Sequence, residues 1–280
     1  MNEKLRKKEQ QAINLIRAAA KIAQEHEQPL EVCYSGGKDS DVVLHLTQKA
    51  NVGYRAIYKN TTIDPPYTIR HAQEKGAEIR RPTRNFREVI AWKGTPSRWV
   101  RSCCSTLKEY KIYDYAIVGV RRAESAKRAA RYKEPEQCRT YTNGTKCRQY
   151  YPILEWTDEE VTEYINAESI KCHPLYYDEN WKFHVERRLG CMGCPLMSRE
   201  KRITEFKKYP KMLNLYIRGE REFREKHGYK SKFVNEYEPI TYQLFCDSVA
   251  EFREKFGANM FFPAIDCKKF LEEYFHTKLV

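Results

Sequence analysis

LEVCYSGGKDSDVVLHL, residues 30–46, is a short apolar run that breaks at Ser35-Gly36-Gly37-Lys38-Asp39-Ser40 and resumes with Val42, Val43 and Leu46 at helical spacing. Residues 31–34 are rich in strand formers, so the stretch reads as strand, glycine turn, helix. Such a turn is an anion site. Two glycines let the backbone approach a ligand, Ser35 and Ser40 offer hydroxyls, Lys38 offers a cation, and the helix start aims its unpaired N–H groups at a phosphate. Asp39 is placed to cap the helix or reach a metal. The adjacent glycines exclude the GxxxxGK[ST] loop, which needs four residues between them. A ligand-free turn of small residues is the plainer alternative.

Working outward, residues 2–25 form an amphipathic helix pattern through Leu5, Ile13, Ile16, Ala20 and Ala23, and Pro29 delivers the chain to the first strand. A second strand is expected at 54–58, a loop at 60–64, a helix after Pro65-Pro66 closed by Gly76, a third strand at 77–80 and a fourth at 115–120. Strands that alternate with helices predict an α/β fold, a parallel sheet sandwiched by helices. Ligands of such sheets sit beyond the carboxyl ends of the strands, at the glycine turn, the 60–64 loop and the segment after Gly119. From Tyr209 onward charged runs such as RGEREFREKHGYKSK (218–232), with Leu213, Leu215, Tyr216, Phe245, Val249, Phe252 and Phe256 recurring, predict a C-terminal helical extension. The expected division is therefore 1–208, carrying the turn and the cysteines, and 209–280, a helical cap.

Fifty-one Lys and Arg against thirty-eight Asp and Glu give a net charge of +13 in 280 residues, which suits anionic partners, nucleotide phosphates at least and nucleic acid among the candidates. A solvated basic surface is the plainer reading of the same excess. No apolar run is long enough for a bilayer and the N-terminal MNEKLRKKEQQ is charged, so no membrane contact and a cytoplasmic location are expected. Ten cysteines in such a chain suggest metal or cluster ligands, redox groups and core thiols rather than disulfides.

SGGKDS resembles the PP-loop of the adenine-nucleotide alpha-hydrolase superfamily, whose members bind ATP or a sulfonucleotide and act at the alpha-phosphate. Gly119-Val120-Arg121-Arg122-Ala123-Glu124-Ser125-Ala126-Lys127-Arg128 resembles the second nucleotide-contacting motif of the phosphoadenosine phosphosulfate (PAPS) reductase family. Its plainer reading is a charged helix start with Glu124 paired to Arg128. Arg98-Trp99-Val100-Arg101-Ser102-Cys103-Cys104 is similar to that family's tandem-cysteine stretch, with two residues inserted. Tyr151-Pro152-Ile153-Leu154-Glu155-Trp156, His173-Pro174-Leu175-Tyr176 and Gly190-Cys191-Met192-Gly193-Cys194-Pro195 are similar to its later segments. The likeness covers roughly residues 28–210. It implies an adenine-nucleotide site built from Ser35, Gly36, Gly37, Lys38, Asp39, Ser40, Gly119, Arg121, Glu124, Ser125 and Arg128, with Lys38, Asp39 and Ser40 at the chemistry.

CxxC spacing at Cys191 and Cys194 puts two thiolates on one turn, where one metal or cluster can take both, and Cys103 and Cys104 are adjacent. Adenylyl-sulfate (APS) reductases use this CC and CxxC arrangement for a [4Fe-4S] cluster. The resemblance thus implies a cluster on Cys103, Cys104, Cys191 and Cys194, with zinc as the alternative. Asn143-Gly144 is a hairpin signal, and a two-residue turn there would set Thr140 opposite Cys147. Cys138 would then lie diagonally from Cys147 on the same face at roughly 7 Å, far for a disulfide but within reach of a shared metal. Cys33 and Cys172 read as structural, with a reactive thiol the alternative for Cys172, which precedes His173-Pro174 in a loop.

Reductases of this family resemble one another in a C-terminal E-C-G-[IL]-H whose cysteine attacks sulfur. This chain has no such segment, and its late cysteines, Cys246 in LFCDS and Cys267 in IDCKKF, lack the glycine and the histidine. Relatives that keep the nucleotide pocket and the cysteines without that nucleophile resemble ATP pyrophosphatases, among them DNA phosphorothioation enzymes and tRNA thiolases. The expectation is an ATP- and Mg²⁺-dependent enzyme that adenylates an acceptor, a nucleic acid, for sulfur insertion, with a sulfur donor such as a cysteine desulfurase. The alternatives are an APS or PAPS reductase using Cys246 or Cys267, and a non-catalytic nucleotide-binding subunit.

Overall fold

A computed structural model describes residues 1–228, 233–257 and 263–280. Its helices are α1 Glu3–Glu25, α2 Lys38–Ala50, α3 Thr68–Glu74, α4 Phe86–Lys93, α5 Ser102–Leu107, α6 Ala126–Arg131, α7 Asp158–Ala167, α8 Arg199–Lys208, α9 Pro210–His227, α10 Glu238–Phe245, α11 Val249–Phe256 and α12 Cys267–Phe275. The strands are β1 Leu30–Tyr34, β2 Arg55–Lys59, β3 Glu78–Arg80, β4 Tyr115–Val118, β5 Glu136–Thr140 and β6 Lys146–Tyr150. The chain folds as two units. The first holds residues 1–60, 64–81 and 109–190, and the second holds 61–63, 82–108 and 191–280. The division expected at 208/209 is replaced by an interleaved one, in which 61–63, 82–108 and 191–208 join the C-terminal helices.

In the first unit the strands lie in the order β3-β2-β1-β4-β6-β5. All neighbours are parallel except β5 and β6. The expected parallel sheet therefore carries an antiparallel edge strand, because 136–150 is a hairpin. Period-2 alternation in β1 sends Leu30, Val32 and Tyr34 into the large core with Leu5, Ile16, Val42, Leu46, Val161 and Tyr164 of the helices. The other face of the sheet carries Cys33 with Ala116, Tyr141 and Cys147. There Cys33 donates to Glu31 at 3.3 Å, and burial pushes its thiol up, in keeping with a structural residue. Helix α1 starts at Asn2, whose side chain accepts the N–H of Leu5 at 2.8 Å.

The hairpin register corrects one expectation. Tyr141 and Thr145 pair across a three-residue loop, so Arg139, not Thr140, stands opposite Cys147, and Cys138 stands opposite Arg148. Asn143 Oδ1 accepts the N–H of Thr145 at 3.2 Å and its hydroxyl at 2.7 Å. Gly144 alone takes a positive φ, whereas a two-residue turn of the Asn-Gly type needs both residues there. The one-residue slip turns Cys138 outward, exposed, and leaves Cys147 buried on the opposite face, so the two share no metal site.

Beneath the first turn of α2 runs a buried polar chain. Asp41 accepts Tyr34 Oη at 2.5 Å and pairs with His71 Nε2 at 3.2 Å from both oxygens. The His71 ring meets the His173 ring edge-on at 5.6 Å. The N–H of Leu175 donates to His173 Nδ1 at 3.2 Å, which leaves His173 Nε2 to donate to Thr68 Oγ1 at 3.3 Å. A buried acid is tolerated only when so paired.

In the second unit α4 packs on α9. Phe86, Val89 and Ile90 meet Leu213, Tyr216 and Ile217, and Phe252, Phe256, Leu271 and Phe275 extend the same core. Gly219 permits that approach, since a Cβ there would lie 2.7 Å from Ile90 Cβ. Of the charged run 218–232, α9 takes the part up to His227, and 229–232 lie outside the described residues. Among the described residues no helix is long and apolar enough to cross a membrane.

Burial, then the neighbouring His71, lowers His173 to about 4. The unfolded imidazole titrates near 6.5, so as pH falls from about 6.5 toward 4 the unfolded chain takes up a proton that the folded one refuses. Stability should be intact above pH 6.5 and decline across that window. His173→Gln should flatten the decline in urea melts, and an equally steep decline in the variant would rule His173 out as its source.

Candidate functional site

The glycine turn closes on Ser40. Its hydroxyl donates to the Gly37 carbonyl at 2.7 Å and accepts the Ser35 N–H and hydroxyl, each at 3.2 Å. Gly36 takes φ +76, and a Cβ there would meet Thr68 at 3.1 Å and Leu189 at 3.2 Å, so conformation and space both call for glycine. Gly37 caps α2 in an extended conformation with no side chain in the way. Ser35 is exposed while Lys38 and Ser40 are buried. The Tyr176 hydroxyl accepts the N–H of Leu189 at 3.3 Å and would lie 3.3 Å from a Cβ on Gly37. Lys38 Nζ sits 5.8 Å from the Tyr176 ring and 3.0 Å from Asp39 Oδ2. The turn is a cradle of backbone N–H groups with a cation at its floor, which suits a polyphosphate.

The segment after β4 divides its work. Gly119 must be glycine because a Cβ would lie 2.9 Å from the Asp39 carbonyl, where β4 meets the start of α2. Arg121, fully buried, gives Nε to Asp39 Oδ1 at 2.6 Å, Nη2 to Asp158 Oδ1 at 2.7 Å and Nη1 to the Trp156 carbonyl at 3.2 Å. It is thus a strut between α2 and α7 rather than a hand extended to a ligand. Asp39 is held by Lys38 and Arg121 and does not cap α2. Glu124 accepts the Arg121 N–H at 3.2 Å and pairs with Arg128, while the Glu124 carbonyl takes Arg188 Nη2 at 2.9 Å. Ser125 caps α6 by accepting the Arg128 N–H at 3.3 Å. Arg128 is the partly exposed cation of the set.

Sequence reasoning missed Asp158 and the chain Tyr34-Asp41-His71, and it quoted His173 and Tyr176 only within a family-like segment, without a role. The signal for Asp41 was present: an acid three residues after Lys38 and three before Leu44, within an apolar helix stretch, has to be paired inside. Nothing local marked Asp158, whose only sign is its place at the start of α7 behind the Thr157-Glu160 capping box.

Within the second unit Cys103, Cys104, Cys191 and Cys194 line one small cavity with Thr61, Ile63, Phe86, Leu107, Lys108, Pro195 and Tyr216. Short α5 presents Cys103 and Cys104. The CMGC turn is fixed by Gly193 at φ +65, where a Cβ would lie 2.7 Å from Phe206. Its N–H donates to Glu205 at 2.7 Å, and its carbonyl accepts Arg202 Nε at 3.0 Å and Tyr216 Oη at 2.9 Å. A hydrogen bond with Cys104, then burial and the thiols of Cys191 and Cys194, push the Cys103 thiol up. Among the described residues no three His, Cys, Asp or Glu side chains are grouped around a single-ion position. Among the described residues, the buried polar atoms without a partner include Ser102 Oγ, beside Cys103 in sequence, and Arg202 Nη2, in the arginine that holds Gly193. Four thiol donors on one cavity, with unsatisfied donors in the segments that carry them, fit a thiolate-bound anionic group.

Cys246 and Cys267 are buried in the core of the second unit, and burial raises both thiols, Cys267 to about 12. Neither is a thiolate nucleophile at neutral pH. Cys172 is likewise buried, its thiol pushed up by burial, then by Asp41.

Residues 29–197 match the family model described as the phosphoadenosine phosphosulfate reductase domain. An uncharacterized protein of Methanocaldococcus jannaschii is 28% identical over 216 residues, which are 71% of this chain and 43% of that protein. Sulfate adenylyltransferase subunit 2 of Shewanella oneidensis is 27% identical over 207 residues, 62% of this chain and 67% of that subunit. This chain spans about half the length of three of the curated relatives it matches, 43% to 53% of each. A crystal structure of PAPS reductase from Candida auris aligns with a TM-score of 0.43 at 13% identity, over 69% of this chain and 97% of that one.

Gly119→Ala should destabilise the first unit by about 1–3 kcal/mol, because the new methyl meets main chain, which cannot swing aside. Gly53→Ala, with open space around its Cβ, is the control and should be near neutral in the same urea melts. Equal stability of the two variants would contradict the close approach of β4 to α2.

Proposed function

The chain belongs to the phosphoadenosine phosphosulfate reductase domain family, and on that premise we propose that it is an ATP pyrophosphatase that adenylates a nucleic-acid acceptor for sulfur insertion. The observation that carries the reading is the gathering of Cys103, Cys104, Cys191 and Cys194 on one cavity while Cys246 and Cys267 are buried as protonated core thiols. A reductase needs an accessible late thiolate, and a sulfur-insertion enzyme does not.

In this reading the backbone of Ser35, Gly36 and Gly37 cradles the pyrophosphate, and Ser40 keeps the cradle closed from behind. Lys38 neutralises charge as the alpha-beta bond breaks. Arg121 holds Asp39 and Asp158 in register, and Arg128, half exposed and paired with Glu124, is the arginine assigned to the nucleotide or the acceptor. An acceptor oxygen attacks the alpha-phosphorus and pyrophosphate leaves; a sulfur nucleophile from the donor then displaces AMP. Asp39, the carboxylate within the loop, is the residue that would hold Mg²⁺, which would supply charge neutralisation. A [4Fe-4S] cluster held by Cys103, Cys104, Cys191 and Cys194 would supply a metal site for sulfur.

A second reading has one observation behind it. Relatives named sulfate adenylyltransferase subunit 2 match the chain, which favours sulfate as the acceptor oxyanion in place of nucleic acid.

The test uses protein purified without oxygen. Iron and acid-labile sulfide near four per chain are expected, with pyrophosphate release from ATP that rises when oligonucleotide and a cysteine desulfurase with cysteine are added. Stimulation by sulfate instead would move the acceptor to the second reading, and sulfite release from APS or PAPS would return the chain to the reductases. Zinc or no metal would overturn the cluster assignment. ATP binding without pyrophosphate release under every condition would make it a non-catalytic subunit. Lys38→Met should lower pyrophosphate release by about 10²–10³-fold, as for loss of one charge-stabilising group. Full retention of activity would remove Lys38 from the mechanism.

A further inference from the structure

Tryptophan is rarely left in water, yet three of the four tryptophans, Trp92, Trp99 and Trp181, are exposed. Trp181 differs from the others in its backbone. It is 75% exposed and holds φ +58, a conformation that is a genuine outlier for a bulky side chain. The turn that imposes it is built deliberately. Asp178 Oδ1 accepts the N–H groups of Asn180 and Lys182, each at 2.9 Å, the Asp178 carbonyl accepts the N–H of Trp181 at 3.1 Å, and Tyr177 bridges to Phe183. His184 closes the cage on Asp178 Oδ2 at 2.9 Å.

The base of this turn is the wall of the PP-loop. Tyr176, the residue before the bridge, stands against Gly37, and Leu189 at its far end stands against Gly36. The other wall repeats the pattern. Thr68 stands against Gly36, and Tyr67 beside it is exposed at φ +72, with its ring 5.9 Å from His173. Leu175, also exposed, lies between His173 and Tyr176 in sequence. Two aromatic side chains are thus held outward on strained backbone, one on each segment that packs on Gly36. Strain of this kind persists where the surroundings over-determine it, and it gathers at ligand sites.

We propose that Tyr67 and Trp181 form a stacking rim beside the PP-loop that takes unpaired bases of a single-stranded nucleic acid. This rests on the nucleic-acid reading above and deepens it. The Trp181 ring, 75% exposed with Tyr177 5.7 Å away, and the Tyr67 ring, 39% exposed, offer aromatic surface that accepts any base face. Arg70 lies 5.3 Å from the centre of the Tyr67 ring, whose hydroxyl donates to Glu74, and on the Trp181 loop Lys182, Arg187 and Arg188 stand beside Asp178, Glu179 and Glu186, with Arg187 and Arg188 donating to the Tyr177 and Glu124 carbonyls. A protein surface would be expected to meet a broader apolar patch than these separate side chains.

The experiment measures binding of a fluorescein-labelled single-stranded DNA or RNA of about 20 nucleotides to the full chain by anisotropy, with tryptophan fluorescence read in parallel. Trp181→Gly removes the ring and relieves the backbone, so its melting temperature should be no lower than that of the parent. Its affinity for the single strand should fall about 5- to 100-fold, the range for loss of one stacked base, and quenching by the oligonucleotide should diminish. Tyr67→Ala should weaken binding in the same direction, and a duplex of the same sequence should bind less well than the single strand. If the parent binds single strands and Trp181→Gly binds them equally, the rim is wrong while the nucleic-acid reading stands. If the parent binds no oligonucleotide, that reading fails and the rim with it. A lower melting temperature with unchanged affinity would make Trp181 a structural residue. A concentration-dependent dimer that Trp181→Gly abolishes would make the rim a protein interface. Either result overturns the proposal.

Discussion

A guanidinium with no exposed surface has to be paired on every side, and Arg121 meets that demand with Asp39, Asp158 and the Trp156 carbonyl. Those partners come from the start of α2 and the entry to α7, and Arg121 itself follows β4. One buried cation therefore ties three elements at the carboxyl edge of the sheet. The PP-loop depends on it, because Asp39 lies between Lys38 and Arg121 and sets where the Lys38 ammonium rests. Gly119 belongs to the same constraint. Only a residue without a Cβ lets β4 come close enough to α2 for the following arginine to reach Asp39.

The sequence made the sheet and the turn legible because both are local. Apolar alternation in Leu30, Val32 and Tyr34 and helical spacing in Val42, Val43 and Leu46 identify strand and helix, and Gly36 signals its own positive φ. The four main parallel strands fell within a residue or two of the expected spans. The hairpin was found but misregistered, because Asn-Gly can serve a two-residue turn or the end of a three-residue one. The choice was made by Asn143 folding back on Thr145, and one residue of slip decided whether Cys138 and Cys147 could meet. The unit boundary was illegible for a different reason. Residues 61–63 and 82–108 carry no composition break, and they leave the sheet unit only because Phe86, Val89 and Ile90 find their apolar partners on α9, more than a hundred residues later.

The candidate site was legible as a set of residues but not as a set of roles. Arg121 and Arg128 look alike in the motif, and only the fold separates the buried strut from the half-exposed cation. Asp41 and His71 could not be paired from the sequence, since they are 30 positions apart with a strand between them. The cysteines show the opposite case. CC and CxxC were read from spacing, and the fold places all four on one cavity of the second unit, with Ser102 Oγ and Arg202 Nη2 as buried donors lacking an acceptor. An unpaired buried donor costs about 1–3 kcal/mol, so these two atoms set the cysteine-bearing segments apart from an ordinary apolar core.

The net charge of +13 acquires meaning only when the buried groups are set aside. Among the described residues four buried cations, Lys38, Arg121, Arg202 and Arg224, stand against five buried acids, Glu9, Glu31, Asp41, Glu160 and Glu220. The interior therefore does not account for the excess, and the positive charge is a property of the surface. Salt screens such charges beyond about 8–10 Å, so a basic surface of this kind attracts a polyanion without ordering it. Order has to come from contacts that survive screening, and rings in contact with bases do so where ammonium groups do not. The proposed aromatic rim and a diffuse basic surface would in that sense be complementary: one would fix what the other only collects.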